Sequence, residues 1–348
     1  MEFKAAPRHF YQNLGPSGLK ISKVIVGCMS IGKKSWLDWV IEDEEEALAL
    51  LKKAYDAGLR TFDTADVYSN GQSERLIAKF LKKYNIHRER VVILTKVFFP
   101  CDPALEDLDW NKRNDLPGED FINAQGLNRR HIMEAVKNSV ERLGTYIDVY
   151  QIHRFDPTTP IEETMQALHD CIQAGYVRYI GASAMKTWQF QMMQNVAEKH
   201  GWTKFISMQN YYNLLYREQE KEMAGFCKET GVTMIPYSPL ARGLLCRPAD
   251  STSLRKETDT FFLKMYGLDK LKPSELEIIK RVEELSKKYS VPMAAVATAF
   301  VVSKGHCPII GFNKPERIDD ALTGLGLTLT EEDIKYLEEP YEIHEWFI

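Results

Sequence analysis

The chain has 348 residues, 44% hydrophobic and 27% charged, a composition that reads as globular rather than disordered or fibrous. Its formal net charge is −4 and its Lys and Arg residues are scattered, so nothing draws it to nucleic acid or to an anionic membrane. No apolar stretch approaches the ~18 residues of a membrane span, and the N-terminal MEFKAAPRHF lacks the apolar core of a secretory signal.

In chain order, FYQNLGPSGLKIS predicts a hairpin around Gly15-Pro16-Ser17-Gly18. Eight β-branched or aromatic runs then predict strands: Val24–Gly27, Thr61–Asp63, Val91–Lys96, Ile147–His153, Val177–Ala182, Phe205–Gln209, Val232–Tyr237 and Pro308–Gly311. Most are continuously apolar, as in strands covered on both faces. Helical patterns separate them. Asp43 is placed as an N-cap, with Glu46 at capping-box spacing, and Ala47, Leu48, Leu51, Ala54 and Tyr55 follow at helical spacing up to Gly58. Further helices are expected over Ser73–Tyr84, Asn128–Leu143, Ile161–Ala174, Thr187–His200, Arg217–Thr230, Pro292–Lys304 and Glu316–Gly324. A long polar loop, Phe98 to Leu127, follows the third strand. A second insertion, Ala241 to Lys272, follows the seventh and leads to an added helix near Pro273–Lys288. The C-terminus adds a helix at Thr330–Glu339 and a tail ending in Trp346, Phe347 and Ile348.

Strands and helices alternating at roughly 30-residue intervals predict a single α/β domain over residues 1–348, a (β/α)8 TIM barrel with an N-terminal hairpin and long loops after strands three and seven. An open doubly wound sheet is the alternative, but GCMSIGKKSW after the first strand contains no GxGxxG. The only GxG, Gly324–Gly326, follows a helix and reads as a cap or turn. Cys28, Cys101, Cys171, Cys227, Cys246 and Cys307 form no CxxC pair and read as free thiols, which makes a cytoplasmic location the expectation. The histidines include no HxH or HExxH, so no metal site is expected.

Barrel enzymes carry their chemistry at the C-terminal strand ends. Here those ends hold Asp63 with Tyr68 beyond it, Lys96, His153, Ser183, Gln209 with Asn210, and Tyr237 with Ser238. Singly, Asp63 and Lys96 make a structural ion pair, His153 a hydrogen-bonded core residue and Tyr68 a packed loop residue. Four such groups on three consecutive strands point to proton chemistry instead. A phenol of pKa about 10 is a weak acid, and a neighbouring ammonium lowers that value. Lys96 supplies the ammonium, Asp63 holds it, and His153 orients a substrate oxygen. The set contains no activated Ser or Cys nucleophile and no carboxylate pair, so carbonyl reduction fits, given a hydride donor.

The segments TFDTADVYSNGQSE (Thr61 to Glu74), ILTK ending at Lys96 and DVYQIHR around His153 resemble the catalytic segments of the aldo-keto reductase family, and the resemblance spans essentially the whole chain. It implies a catalytic tetrad of Asp63, Tyr68, Lys96 and His153. GASAMKTWQF resembles the segment that binds the nicotinamide amide through Ser183, with Ala184 standing where the family usually has Asn. Gln209 matches the other amide-binding position, and Tyr237 the aromatic under the nicotinamide ring. Ser238, Leu240, Arg242 and Gly243, in YSPLARGLL, match the pyrophosphate segment. PIIGFNKPERIDDA resembles the adenosine-phosphate site, which implies roles for Gly311, Asn313, Lys314 and Arg317 around a 2′-phosphate and for Asp320 at the adenine amine. Gly311 stands where some branches carry Lys. The implied cofactor is NADPH, with NADH less favoured.

QIHR, YIGAS, YYNLLYRE and LTEEDIKYLEEPY are most like fungal aryl-alcohol dehydrogenase-like reductases, a branch associated with aromatic and aliphatic aldehydes. Trp36, Trp39, Phe98 and Phe99 are expected to wall an apolar pocket, and Trp346 to reach over it. Arg154 either favours a polar or anionic substituent or pairs with the acidic loop around Glu119 and Asp120. The expected activity is therefore NADPH-dependent reduction of a small carbonyl substrate, by a chain taken as a monomer by default with an oligomer left open. Two alternatives stay open: a cofactor-holding regulatory subunit similar to potassium-channel β-subunits, and a barrel hydrolase or aldolase using Lys96 as an amine nucleophile.

Overall fold

The expected hairpin opens the chain and seals one end of the barrel. In the computed structural model, which describes residues 10–116, 118–251 and 257–347, β1 (Tyr11–Asn13) and β2 (Lys20–Ser22) pair antiparallel. Gly15 in the turn has φ +59°, and a Cβ there would lie 2.2 Å from the Ile206 carbonyl oxygen, so only glycine fits. Leu14 and Ile21 are fully buried in one cluster with Ile25, Val92, Leu94, Val149, Ile206, Ile235 and Ile309. Those strand residues point inward, so the hairpin plugs the N-terminal mouth.

Eight parallel strands follow: β3 (Ile25–Gly27), β4 (Thr61–Asp63), β5 (Val92–Val97), β6 (Ile147–Ile152), β7 (Val177–Ser183), β8 (Phe205–Gln209), β9 (Thr233–Met234) and β10 (Ile309–Gly311). They pair in chain order from β3 to β9, and β10 lies on the other side of β3. The ring closes between β9 and β10. Cys307 N–H donates to Met234 O (3.0 Å), Ile309 N–H donates to Pro236 O (2.9 Å), and a parallel bridge joins Tyr237 to Ile309. The predicted (β/α)8 barrel is the observed fold. The seventh barrel strand is shorter than expected because Pro236 has no N–H for the ladder.

The ladder between β7 and β8 carries a bulge. Ile180 pairs with Phe205 but Ala182 pairs with Met208, so β8 holds one extra residue. Regular alternation from the inward Ile206 would point Met208 and Asn210 into the barrel. The extra residue turns Ser207 and then Gln209 inward.

The barrel helices are α1 (Glu44–Asp56), α2 (Gln72–Lys83), α3 (Arg129–Leu143), α4 (Ile161–Gln173), α5 (Thr187–His200), α6 (Met223–Thr230), α7 (Pro273–Tyr289), α8 (Met293–Ser303) and α9 (Glu316–Gly326), and α10 (Glu331–Glu338) ends the chain's regular structure. Asp43 caps α1 by accepting the Glu46 N–H at 2.9 Å. The helix expected from Arg217 is broken at Glu222 (φ −142°, ψ −55°), with a 3-10 turn at Glu218–Lys221 before α6. Tertiary bonds outbid the helix there. Buried Glu218 accepts from the Tyr341 hydroxyl (2.8 Å) and the His344 N–H (2.9 Å), while Gln219 accepts from Asn210 (2.9 Å). Among the described residues no helix is long and apolar enough to cross a membrane.

The GxG read as a cap or turn lies inside α9. A Cβ on Gly324 would sit 2.6 Å from the Ala295 carbonyl oxygen and 2.7 Å from Thr298 Cβ, so this glycine lets α9 lie against α8. Gly324→Ala gains about 1 kcal/mol of helix propensity but overpacks a backbone contact, at a cost of about 1–3 kcal/mol. A net loss of stability in urea unfolding, with unchanged slope, is expected; a gain would remove the close-packing account.

Candidate active site

Alternation along β5 turns Val92, Leu94 and Lys96 inward in succession, which carries Lys96 to the open end of the barrel. Its side chain is fully buried. Nζ donates to Asp63 Oδ1 (2.5 Å), to Thr64 O (2.8 Å) and to the Tyr68 hydroxyl (3.2 Å), so each of its three hydrogens has an acceptor. Tyr68 starts a tight turn in which Ser69 and Asn70 are left-handed, at φ 46° and 50°. The other Asp63 oxygen accepts from Gln151 Nε2 and Gln209 Nε2, both at 3.0 Å, and Gln209 also donates to Gln151 Oε1 at 3.0 Å. The bulge in β8 makes the Gln209 contact possible. Gly181 makes room for Ser207 and Gln151, since a Cβ there would lie 2.4 Å from Ser207 Oγ and 3.1 Å from Gln151 Cγ.

His153 follows β6, two residues beyond Gln151. Its ring meets Tyr68 (centroids 5.9 Å) and Phe99 (5.3 Å) edge-on, and its Nδ1 is buried without a partner. The structure thus brings Asp63, Tyr68, Lys96 and His153 together at one mouth.

The electrostatics depart from the expectation for Tyr68. Burial raises its pKa, and the Lys96 charge pulls it down without reversing that rise. The phenol therefore stays protonated at neutral pH. Burial also opposes the Lys96 charge, but Asp63 and Tyr68 outweigh it and the ammonium pKa rises. His153 is held well below the usual imidazole value, by burial first and then by Lys96 and Arg154, so its ring is neutral. One cation, one carboxylate and two neutral hydrogen-bonding groups share the site.

Of the proposed pocket residues, Trp36 and Phe99 face it. Trp36 is fully buried, 6.0 Å from the Tyr68 ring, with its indole nitrogen unpartnered. Trp110, from the long loop after β5, packs edge-on against Trp36 (5.8 Å) and Phe99 (5.4 Å) and stacks on Phe262. Sequence reading passed over it, although it is the one tryptophan in that polar loop. Phe98 instead packs against the core between strands and helices. Trp39 spends its indole N–H on Asp259 (3.2 Å) and so anchors the second insertion. Phe347 and His344, rather than Trp346, make the tail's ring contacts, Phe347 with Tyr216 and Tyr266 and His344 with Tyr216.

The proposed cofactor residues follow the ends of β7 to β10. The Ser183 hydroxyl donates to Gln209 O (2.7 Å), and Ala184 takes φ 47°. The Gln209 amide is turned to Asp63 and Gln151, so its reach toward a nicotinamide amide is not what this structure displays. Tyr237 is flanked by Tyr211 and Tyr266, two aromatics that sequence reading missed. Ser238, Ala241, Arg242 and Gly243 have φ between 45° and 99°, and the Gly243 N–H returns to Leu240 O (2.9 Å). Arg242 does not stand free for a phosphate: it pairs with Asp259 at 2.5 Å and lies over the Phe262 ring, leaving Nη2 buried and unpartnered. Gly311 ends β10, with nothing nearer than 3.8 Å to an added Cβ. Asn313 and Lys314 are exposed just before α9, and Arg317 pairs with Asp320 at 3.1 Å. A left-handed backbone turn, an orphaned guanidinium nitrogen, buried tyrosines and cations at a helix start fit a dinucleotide with phosphates.

Gln151 was a further omission. It lies two residues before His153, on the same face of β6, and that period-two spacing was the signal available. Because Tyr68 titrates above the ordinary phenol value of about 10, its acidic form persists through neutral and mildly alkaline pH. A carbonyl-reduction rate level from neutral to about pH 10 and falling beyond it is expected; a pH–rate profile bending near 7 would assign the proton to another group.

Comparison with known proteins agrees with this geometry. Residues 23–342 match the model of the Aldo/keto reductase family. A Schizosaccharomyces pombe protein named "Putative aryl-alcohol dehydrogenase C977.14c" is 55% identical over 339 residues, covering 95% of each chain. Versiconal hemiacetal acetate reductase of Aspergillus parasiticus is 52% identical, covering 95% of this chain and 96% of its own. The crystal structure of Tm1743, a thermostable aldo-keto reductase solved with the inhibitor epalrestat, superposes with TM-score 0.70 at 26% identity, covering 95% of this chain and 99% of that one. With such matches over nearly its whole length, the chain belongs to the aldo/keto reductase family of oxidoreductases.

Proposed function

We propose that this chain reduces aldehydes to alcohols with NADPH, and that Tyr68 is the general acid. The observation that carries this reading is the Tyr68 hydroxyl, held 3.2 Å from the buried Lys96 ammonium at the edge of an aromatic mouth. Family members work with nicotinamide cofactors on small carbonyl compounds. When bound, the dinucleotide supplies the hydride. The chain's own residues do the rest. The neutral His153 ring donates a hydrogen bond to the carbonyl oxygen and aims it at Tyr68. Tyr68 gives its proton as negative charge grows on that oxygen, and Lys96 stabilises the phenolate left behind. Asp63, Gln151 and Gln209 keep Lys96 charged and in place. Trp36, Phe99 and Trp110 exclude water and offer flat apolar surface to the substrate. The name of one relative, an aryl-alcohol dehydrogenase, favours aromatic carbonyl substrates.

The preference for NADPH over NADH rests on Lys314 and Arg317 at the start of α9, where two cations and the helix dipole suit a 2′-phosphate. An aldolase-type role for Lys96 is disfavoured, since its ammonium is fully hydrogen-bonded and its raised pKa keeps it from acting as a neutral amine. A regulatory subunit with little turnover remains the second reading, and turnover separates the two.

Tyr68→Phe is expected to slow aldehyde reduction by about 10²- to 10⁴-fold, the scale of a lost general acid, while NADPH still quenches intrinsic fluorescence. Undiminished reduction by that variant excludes the mechanism. Replacing Lys314 and Arg317 by Ala is expected to weaken NADPH binding about tenfold or more, at charge-assisted bond strengths of ~1.5–3 kcal/mol each, with little change for NADH. Equal weakening of both would move the 2′-phosphate elsewhere.

A further inference from the structure

Arg154 follows His153 at the mouth of the barrel, and one of its guanidinium nitrogens, Nη1, is buried with no hydrogen-bond partner. Several other partly or wholly buried guanidiniums carry an ion pair. Arg88 pairs with Asp148, Arg142 with Glu74, Arg217 with Glu220 and Glu338, Arg242 with Asp259, and Arg281 with Glu277 and Glu339. Even Arg113, without an ion pair, is bonded to Pro100 O and Asn70. Arg154 has no ion pair or hydrogen bond among the described residues, and the acidic loop, one of the two roles the sequence offers it, leaves Glu119 and Asp120 exposed to solvent.

It lies next to His153 in the chain, and its charge acts on both His153 and Tyr237, so it stands within electrostatic reach of the site. The carboxylate nearest the chemistry, Asp63, is committed to Lys96, Gln151 and Gln209. Position in the ring argues against a phosphate of the cofactor as the partner. Lys314 and Arg317 follow β10, four strands from β6 in a ring of eight and therefore diametrically opposite, and the turn at Ser238–Gly243 follows β9. Beside Arg154 in the chain stands His153, whose ring meets Phe99, and Phe99 in turn packs on Trp110.

Building on the reductase reading above, we propose that Arg154 is a specificity-determining residue that receives a carboxylate carried by the carbonyl substrate. A planar guanidinium binds a carboxylate through two parallel hydrogen bonds, and here it would do so while the aldehyde oxygen of the same molecule reaches His153 and Tyr68. The substrate class is thus an aldehyde-acid with an apolar or aromatic body.

The test is a kcat/KM series with NADPH over 2-, 3- and 4-carboxybenzaldehyde, the methyl esters of the same acids, and benzaldehyde. It is run on the wild-type chain, Arg154→Met and Arg154→Lys, with NADPH affinity measured on each by fluorescence. The wild type is expected to favour at least one carboxybenzaldehyde over its ester by about 10- to 100-fold, the range of a charge-assisted hydrogen bond. That ratio is expected to collapse toward one in Arg154→Met and to survive in part in Arg154→Lys. A wild type indifferent to the carboxylate overturns the proposal, as does a preference that persists in Arg154→Met. So does an Arg154→Met variant whose main defect is NADPH binding, since Arg154 would then serve the cofactor. Failure of the wild type to reduce any aldehyde, benzaldehyde included, overturns the reductase reading itself and this proposal with it.

Discussion

An ammonium sealed inside a protein has to be surrounded by acceptors, because desolvation costs several kcal/mol per ion. Lys96 meets that demand through Asp63, Thr64 and Tyr68, and Asp63 is in turn held by Gln151 and Gln209. Strands β4, β5, β6 and β8 thus contribute to one charge pair. A one-residue slip of β5 would turn Lys96 toward the helices and leave Asp63 buried without its counter-ion. The bulge in β8 belongs to the same constraint, since it aims Gln209 at Asp63.

The chemistry follows from that pair. With Lys96 and Asp63 cancelling each other, the low-dielectric mouth keeps its other two groups neutral. Tyr68 remains a phenol because burial outweighs the attraction of Lys96 for a phenolate, and His153 remains an imidazole because burial and two nearby cations oppose a third positive charge. Both are then in the protonation states that donate to a carbonyl oxygen. In the mechanism proposed above, Lys96 would make its largest difference after the proton leaves, when the phenolate beside it acquires a partner. Arg154 stands outside this balance as a cation without an anion.

A second layer covers the mouth. The insertion after β9 is tied down by Asp259, which takes both Arg242 and the Trp39 indole, and its Tyr266 extends the row formed by Tyr211 and Tyr237. The C-terminal tail locks over the same side through Tyr341 and His344 on Glu218 and through Phe347 on Tyr216. These contacts join segments far apart in the chain, and they decide which aromatics face a substrate.

Local pattern was enough for the barrel, its hairpin and the four residues at the strand ends. Continuous apolar runs, helical spacing and caps act within a few residues of chain, so Asp43 caps its helix where expected, and the helices expected from Asn128 and Thr330 do begin there, with those side chains as caps. The order Asp63, Tyr68, Lys96, His153 was readable because parallel strands in sequence send their ends to one rim. Long-range contacts decided the rest. Gly324 looked like a helix end, yet it serves an approach to Ala295 that only packing reveals. Arg242 stands in the segment that resembles a pyrophosphate site, and only the fold shows that Asp259, 17 residues on, pairs with its Nε while Nη2 is left without a partner. The direction of the Tyr68 pKa was misjudged because sequence names the charged neighbour and is silent on burial, and in a closed barrel burial is the larger effect.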